Sequence, residues 1–203
     1  MQLSYQRAAM YLDLYRLAEL NFGEDGQKRF LDALRLTQVK GKEWLATELA
    51  KHVPIKPLEI EIVGGWFGFP LIDMLCDIFT IDRITIWDID PMATTMQSIY
   101  REVSGFDFDY VNDNYWNKQQ TTPDVVINCC AEHMTETFAT HWTYDNNPII
   151  AIQSTNADAS DHCNQVNSPD EIEKQNCLLN VKYKGAMPLL NGNERFMVIG
   201  YAQ

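Results

Sequence analysis

The stretch from Leu58 to Pro91 limits this chain more than any other. Leu58-Glu59-Ile60-Glu61-Ile62-Val63 reads as a strand and runs straight into Gly64-Gly65-Trp66-Phe67-Gly68. An apolar helical stretch from about Pro70 to Phe79 follows, and then a second strand, Arg83–Asp88, continuing as Ile89-Asp90-Pro91. Strand, glycine turn, helix, strand, acid is a unit of a parallel sheet, and ligands of such sheets lie outside the C-terminal ends of the strands. Glycines there let the backbone approach a ligand, and an acid at the second tip can accept the two hydroxyls of a ribose. The layout points to an adenosine-containing cofactor.

Downstream, the alternation continues. Phe106–Val111, Asp124–Cys130 and Pro148–Gln153 read as strands, the second of them apolar enough for the buried centre of a parallel sheet. Helices are expected over Pro91–Val103, Thr135–Trp142 and Pro169–Gln175, with Pro91 suited to a first helical turn. Leu178–Tyr183 and Arg195–Tyr201 are strands joined by the glycine-bearing stretch Gly185 to Glu194, too short for a parallel crossover, so they pair antiparallel. Upstream, apolar spacing predicts three short helices, Leu3–Leu20, Glu24–Leu36 and Lys42–His52, with a break at Asn21-Phe22-Gly23. The expected fold class is α/β, a Rossmann-like, mostly parallel seven-stranded sheet with a C-terminal antiparallel hairpin. Residues 1–56 form a helical cap or outer layer on a domain spanning 57–203.

At 203 residues the chain can bury one good core. Its 28 acids against 16 Lys and Arg give a net charge of -12, which repels phosphate backbones and disfavours non-specific nucleic-acid binding. A small-molecule substrate suits that charge better. No run approaches the roughly 18 apolar residues of a membrane span, and Met1 to Arg7 lacks the start of a signal peptide. These features read as cytoplasmic. The five cysteines are odd in number and show no metal-ligand spacing, so free thiols and no metal are expected.

Every polar cluster of interest falls at a strand end: Gly64, Gly65 and Gly68; Asp88 and Asp90; Asn112, Asp113 and Asn114; Glu132 and His133; Ser154, Thr155 and Asn156. Glu61 with the glycine turn, Asp88-Ile89-Asp90-Pro91 and the final antiparallel pair together resemble the class I S-adenosylmethionine-dependent methyltransferases over residues 57 to 203. That resemblance implies S-adenosyl-L-methionine as cofactor, with Glu61 near its amino group and Gly64, Gly65 and Gly68 beneath it. It further implies Asp88, with Ile89 beside it, at the ribose and Asp113 near the adenine. One departure stands out. Val63 and Phe67 occupy places where the family has glycine, so the turn is shaped differently; Trp66 and Phe67 either pack on the ligand or plug the helix onto the sheet.

A dinucleotide would use the same face, but an acid on the first strand is a poor neighbour for diphosphate and a good one for an ammonium group. The expected activity is methyl transfer to a small molecule or other acceptor reaching a cleft. Other chemistry on the same cofactor, or a non-catalytic module, is the alternative. Glu132-His133 follows the fourth strand, where His133 suits a general base and Glu132 can orient it or bind the acceptor; the structural reading is that His133 caps the helix beginning near Thr135. The polar loop Ser154 to Ser168 suits substrate recognition, with Asp161, His162 and Asn164 as candidates. The segment 126–134 and Arg195–Gly200 also resemble uncharacterised, often phage-borne methyltransferase-like proteins. That resemblance implies Glu132, His133, His162 and Asn164 as one site, in a host cytoplasm if the chain is phage-encoded.

Overall fold

Two apolar runs, Val125–Asn128 and Ile149–Thr155, are buried along their whole length and set the centre of the sheet. The computed structural model describes residues 4–141 and 144–202. Its strands are β1 (Leu58–Val63), β2 (Ile81–Trp87), β3 (Asp109–Val111), β4 (Val125–Asn128), β5 (Ile149–Thr155), β6 (Leu178–Pro188) and β7 (Glu194–Ala202). They form a seven-stranded sheet in the order β3-β2-β1-β4-β5-β7-β6. The pairs from β3 through β5 are parallel, and β7 runs antiparallel to both β5 and β6. This is the expected Rossmann-like sheet with its antiparallel C-terminal hairpin. Strand order reverses between β1 and β4, and ligand crevices form at such a switch point.

Register brings the tips together. Val63 stands opposite Trp87 on one side and Asn128 on the other, so Gly64, Asp88 and Cys129 leave the sheet side by side. Among the described residues, five α-helices cover the sheet: α1 (Tyr5–Ala33), α2 (Leu36–Leu49), α3 (Leu71–Ile78), α4 (Pro91–Ser104) and α5 (Pro169–Asn176). Because strand side chains alternate between faces, Leu58, Ile60 and Ile62 join one core with Leu14, Phe30, Leu45, Leu75 and Met96 of α1 to α4. Val63, Val126, Ile150 and Ile152 face a second core with Tyr115, Phe138, Val166 and Ile172. Each such side chain stabilises the fold by about 1.5–3 kcal/mol on burial. A polar hub ties the helices together: buried Asp73 of α3 accepts hydrogen bonds from Tyr11 (2.7 Å) and Tyr100 (2.8 Å) and faces Arg7 Nε at 3.2 Å.

Departures from expectation have local causes. The predicted break at Asn21-Phe22-Gly23 is no departure: α1 is two helices meeting at a kink, where Gly23 takes non-helical angles (φ 61°, ψ -144°). α2 starts at Leu36 and includes Gly41, where an added Cβ would lie 3.2 Å from Arg195 Cδ; the glycine serves close packing. The helix expected over Thr135–Trp142 is absent over its described part; Ala131–His133 forms a single 3-10 turn instead. Thr137 and Thr140 bond locally, the Thr137 N–H to Thr140 Oγ1 at 3.1 Å and the Thr140 hydroxyl to the Thr137 carbonyl at 3.0 Å, which competes with a helix. β6 extends to Pro188 through the stretch predicted as a connection, and β3 is limited to Asp109–Val111. Leu3 and Trp142, ends of two predicted helices, lie outside the described residues. No helix among the described residues is long and apolar enough to cross a membrane.

Candidate active site

A cavity of about 650 Å³ opens at the tips of β1, β2 and β4, within the range of about 300–1,000 Å³ typical of small-molecule sites. Its floor is the turn after β1. Gly64 has φ 59°, and a Cβ there would sit 2.3 Å from Cys130 Sγ and 2.7 Å from Met134 Cε. Only glycine fits that position. Gly65 also lines the cavity, but its Cβ would strike Ile86 Cγ2 at 2.3 Å, so its size is dictated by packing on β2. Gly68, with φ 81° and a virtual Cβ 3.0 Å from Ile72 and Ile86, packs the turn against the same residue and is not a wall of the cavity.

The two aromatics of the turn separate. Phe67 is wholly buried between Trp66 and Phe69 and belongs to the core. Trp66 lines the cavity with a left-handed backbone (φ 48°), an arrangement that costs about 1–3 kcal/mol and persists only where the surroundings enforce it. Here Asp88 enforces it: the Trp66 N–H donates to Asp88 Oδ2 at 2.7 Å, and the Trp66 carbonyl accepts from Gln97. The other Asp88 oxygen accepts the Asp90 N–H at 2.9 Å. Each oxygen keeps a lone pair for a ligand hydroxyl, and burial raises the Asp88 pKa above the usual carboxylate value. Ile89 stands exposed on the cavity rim, and Asp90 caps α4 through the Met92 N–H (2.9 Å) and pairs with Arg29. Asp113 lines the rim and accepts the Asn114 N–H at 2.6 Å.

Glu61 is not where its expected role places it. Two residues short of the β1 tip it shares the face of Val63, and its carboxylate lies away from the cavity wall. Glu61 Oε2 accepts from Lys118 Nζ at 2.5 Å and from the Tyr115 hydroxyl at 2.8 Å. The Lys118 side chain is 1% exposed, so Glu61 is its counter-charge.

Two buried cations take part in the cavity wall instead. Lys42 comes from α2, where burial brings its pKa down to about 8, and Arg195, second residue of β7, has a buried Nε without a partner. Gln38 also lines the wall, whereas the Trp44 indole donates to the Tyr183 hydroxyl at 3.1 Å. The cation at the head of the otherwise apolar strand Arg195–Tyr201 was the available sequence signal for Arg195. Burial lifts the Cys129 thiol to about 11 and Cys130 well above the ordinary thiol value, so neither is a thiolate nucleophile near neutral pH.

Beyond the β4 tip, Glu132 and His133 line the cavity on the short 3-10 turn. With no helix at Thr135, His133 caps none. Glu132 is 3% exposed, and its Oε2 is buried without a partner. The Glu132 carbonyl accepts from the Cys163 N–H (2.9 Å) and the Asn164 N–H (3.0 Å), which pins the loop after β5 over this end of the cavity. His162 thereby meets His133, ring centroids 4.6 Å apart at 86°. Of the loop candidates, Asp161 lines the cavity, His162 packs on His133 of its wall without lining it, and Asn164 reaches this end through its backbone.

Solved structures share this architecture at low identity. The 1,6-didemethyltoxoflavin-N1-methyltransferase of Burkholderia thailandensis, solved with 1,6-didemethyltoxoflavin and S-adenosylhomocysteine, matches with a TM-score of 0.60 at 14% identity, over 100% of this chain and 92% of its own. The chain has the class I methyltransferase fold. A putative sarcosine dimethylglycine methyltransferase of Galdieria sulphuraria shares this fold with a TM-score of 0.62 at 11% identity, covering 81% of this chain and 85% of its own. A SAM-dependent methyltransferase of Aquifex aeolicus gives 0.56 at 13%, covering 78% and 89%. No protein-family model and no curated protein sequence matches the chain. Within the class I methyltransferase fold, the turn after β1 and the Glu132-His133 turn face each other across one cavity.

Proposed function

We propose that this protein binds S-adenosyl-L-methionine across the β1, β2 and β4 tips and transfers its methyl group to a small-molecule acceptor at Glu132 and His133. One observation carries the reading: a glycine turn at the β1 tip lines the cavity, with its Trp66 N–H bonded to an acid at the neighbouring tip. Buried Trp66 Nε1 and Trp87 Nε1, both without partners on cavity-lining residues, add polar atoms that a ligand can satisfy. The residues therefore fit the cofactor.

In this reading Asp88 accepts the ribose hydroxyls, and Ile89 and Asp113 flank the adenine. Lys42 and Arg195 suit the cofactor's carboxylate, a charge-assisted contact. Glu61 has no direct part, being committed to Lys118. The bound cofactor supplies an electrophilic methyl group, whose bond to sulfur breaks as the bond to the acceptor forms. Alignment is then the larger part of catalysis. A hydroxyl or amine acceptor must also lose a proton, and the Glu132-His133 turn is the basic group at that end.

Calorimetry with S-adenosylmethionine and S-adenosylhomocysteine tests the reading, and failure of both to bind would overturn it. Incubation with S-adenosylmethionine alone, followed by product analysis, separates methyl transfer from cleavage of the cofactor. His133→Ala should slow turnover of an identified acceptor and leave cofactor affinity nearly unchanged.

A further inference from the structure

We infer that Glu132, His133 and His162 form a binding site for a divalent transition-metal ion at the acceptor end of the cavity. One ligand atom from each of the three lies within 4.8 Å of the others. Tetrahedral ligands about 2.0–2.2 Å from a shared ion stand about 3.3–3.6 Å apart, so the three groups must draw together by about an ångström when the ion binds.

Three further observations point to a ligand. Buried Glu132 Oε2 has no hydrogen-bond partner, a deficit that an ion at this position removes. His162 Nδ1 lies 2.7 Å from the Ala157 carbonyl, and His133 Nδ1 lies 3.2 Å from the Asp161 carbonyl. A carbonyl can only accept, so Nδ1–H is the donor in each contact, and in the neutral ring this leaves the Nε2 lone pair for a metal, the arrangement of metal-ligating histidines. The pinning of the loop through the Glu132 carbonyl holds His162 against the turn that bears the other two residues.

Two imidazoles and one carboxylate suit zinc, cobalt, nickel or ferrous iron better than magnesium or calcium. Three protein ligands leave coordination positions open, as in catalytic sites, and His133, the most exposed of the three, stands on the cavity wall. The open positions would take an acceptor oxygen, and the ion would ease loss of its proton to water; with the ion bound, Glu132 and His133 act as its ligands and not as the base. The acceptor class is thus a molecule with a hydroxyl that joins the ion. This role rests on the methyl-transfer reading; the site itself does not. The resemblance groups Glu132, His133, His162 and Asn164 as one site without a metal; the ligand set itself has no sequence spacing, because Glu132-His133 and His162 are separated by the whole of β5 and its loop.

The test uses the whole chain, stripped with a chelator and titrated with Co²⁺ by visible absorption and with Zn²⁺ by calorimetry. One equivalent should bind with a micromolar or tighter dissociation constant, giving saturable cobalt bands. Glu132→Gln and His162→Gln should each weaken binding by more than about tenfold, the loss produced even by outer-shell changes. S-adenosylhomocysteine affinity, measured on the same samples, should be retained and reports that the fold is intact. Should either variant fail to fold, His133→Gln replaces it. Absence of saturable cobalt bands in the unsubstituted protein, or binding unchanged by the substitutions, would overturn the inference. Cobalt binding without binding of S-adenosylhomocysteine would leave the metal site standing and remove the methyl-transfer reading; the reverse result would do the opposite.

Discussion

Replacing Glu61 should damage folding and leave ligand binding alone. Glu61 is the counter-ion of Lys118, whose side chain is 1% exposed, lies over the rings of Tyr115 (4.6 Å) and Tyr144 (4.4 Å) and donates to Thr121 Oγ1 at 2.5 Å. Desolvation already lowers the Lys118 pKa, and the Glu61 contact opposes that. Glu61→Ala strands a buried ammonium and removes an acceptor from the Tyr115 hydroxyl, a loss of about 3–5 kcal/mol for a broken buried pair. In a chain of this size that is a fall in Tm of about 6–20 °C. Replacing both partners, as Glu61→Ala with Lys118→Met, should recover much of it, because neither charge is then left alone. Urea and thermal unfolding measure the first effect, and calorimetry with S-adenosylhomocysteine at a temperature where the variant is folded measures the second. Unchanged stability together with a tenfold or greater loss of affinity would show that Glu61 reaches the ligand after all, and would refute the argument from its buried partners.

Three more outcomes follow from the cavity. Asp88→Ala should weaken S-adenosylhomocysteine by about 1.5–3 kcal/mol, the range for hydrogen bonds to a charged group; an unchanged dissociation constant removes Asp88 from the ribose. Gly64→Ala combines about 1–2 kcal/mol for a left-handed backbone with about 1–3 kcal/mol of overpacking against Cys130 and Met134. Thermal unfolding should detect it, with Cys130→Ala relieving part, and an undiminished Tm would contradict the close packing of this turn. Lys42, with its folded pKa near 8 against about 10.4 unfolded, is charged in the fold only below pH 8. Affinity for a carboxylate-bearing ligand should therefore fall as pH rises from 7 to 9, with proton uptake on binding near pH 8. Over the window from 8 to about 10.4 the unfolded chain keeps a proton at Lys42 that the fold has lost, so this residue contributes stability that rises with pH, against the opposite contribution of the buried Cys129 and Cys130 thiols; Lys42→Met should remove the Lys42 contribution and the affinity slope.

Much of the fold was readable because its signals are local. β1 matches the predicted Leu58–Val63 residue for residue, and the Asp88-Ile89-Asp90-Pro91 run gives both a strand tip and a helix start, with Asp90 as cap and Pro91 at the first position. What was missed depends on distant partners. Gly41 looks like a helix stop, yet it sits mid-helix because Arg195, far along the chain, passes against it. Glu61 has the right type and place for a ligand contact, but the lysine that occupies it lies on a loop with no motif. Lys42 and Arg195 meet only when α2 crosses the start of β7. The polar residues Thr137 and Thr140 carry a helix-like spacing and spend their hydroxyls on local bonds instead.

The helices preceding the sheet do more than shelter it. Arg29, Gln38 and Lys42 stand in the ligand cavity, and Tyr11 and Arg7 reach Asp73 on the helix that follows the glycine turn. A version trimmed to begin at Pro57 would keep every strand tip and still lose part of its pocket. Sequence drift in the first fifty or so positions can therefore alter which molecules are admitted while the strand ends stay untouched, a route to new specificity written into the amino-terminal layer.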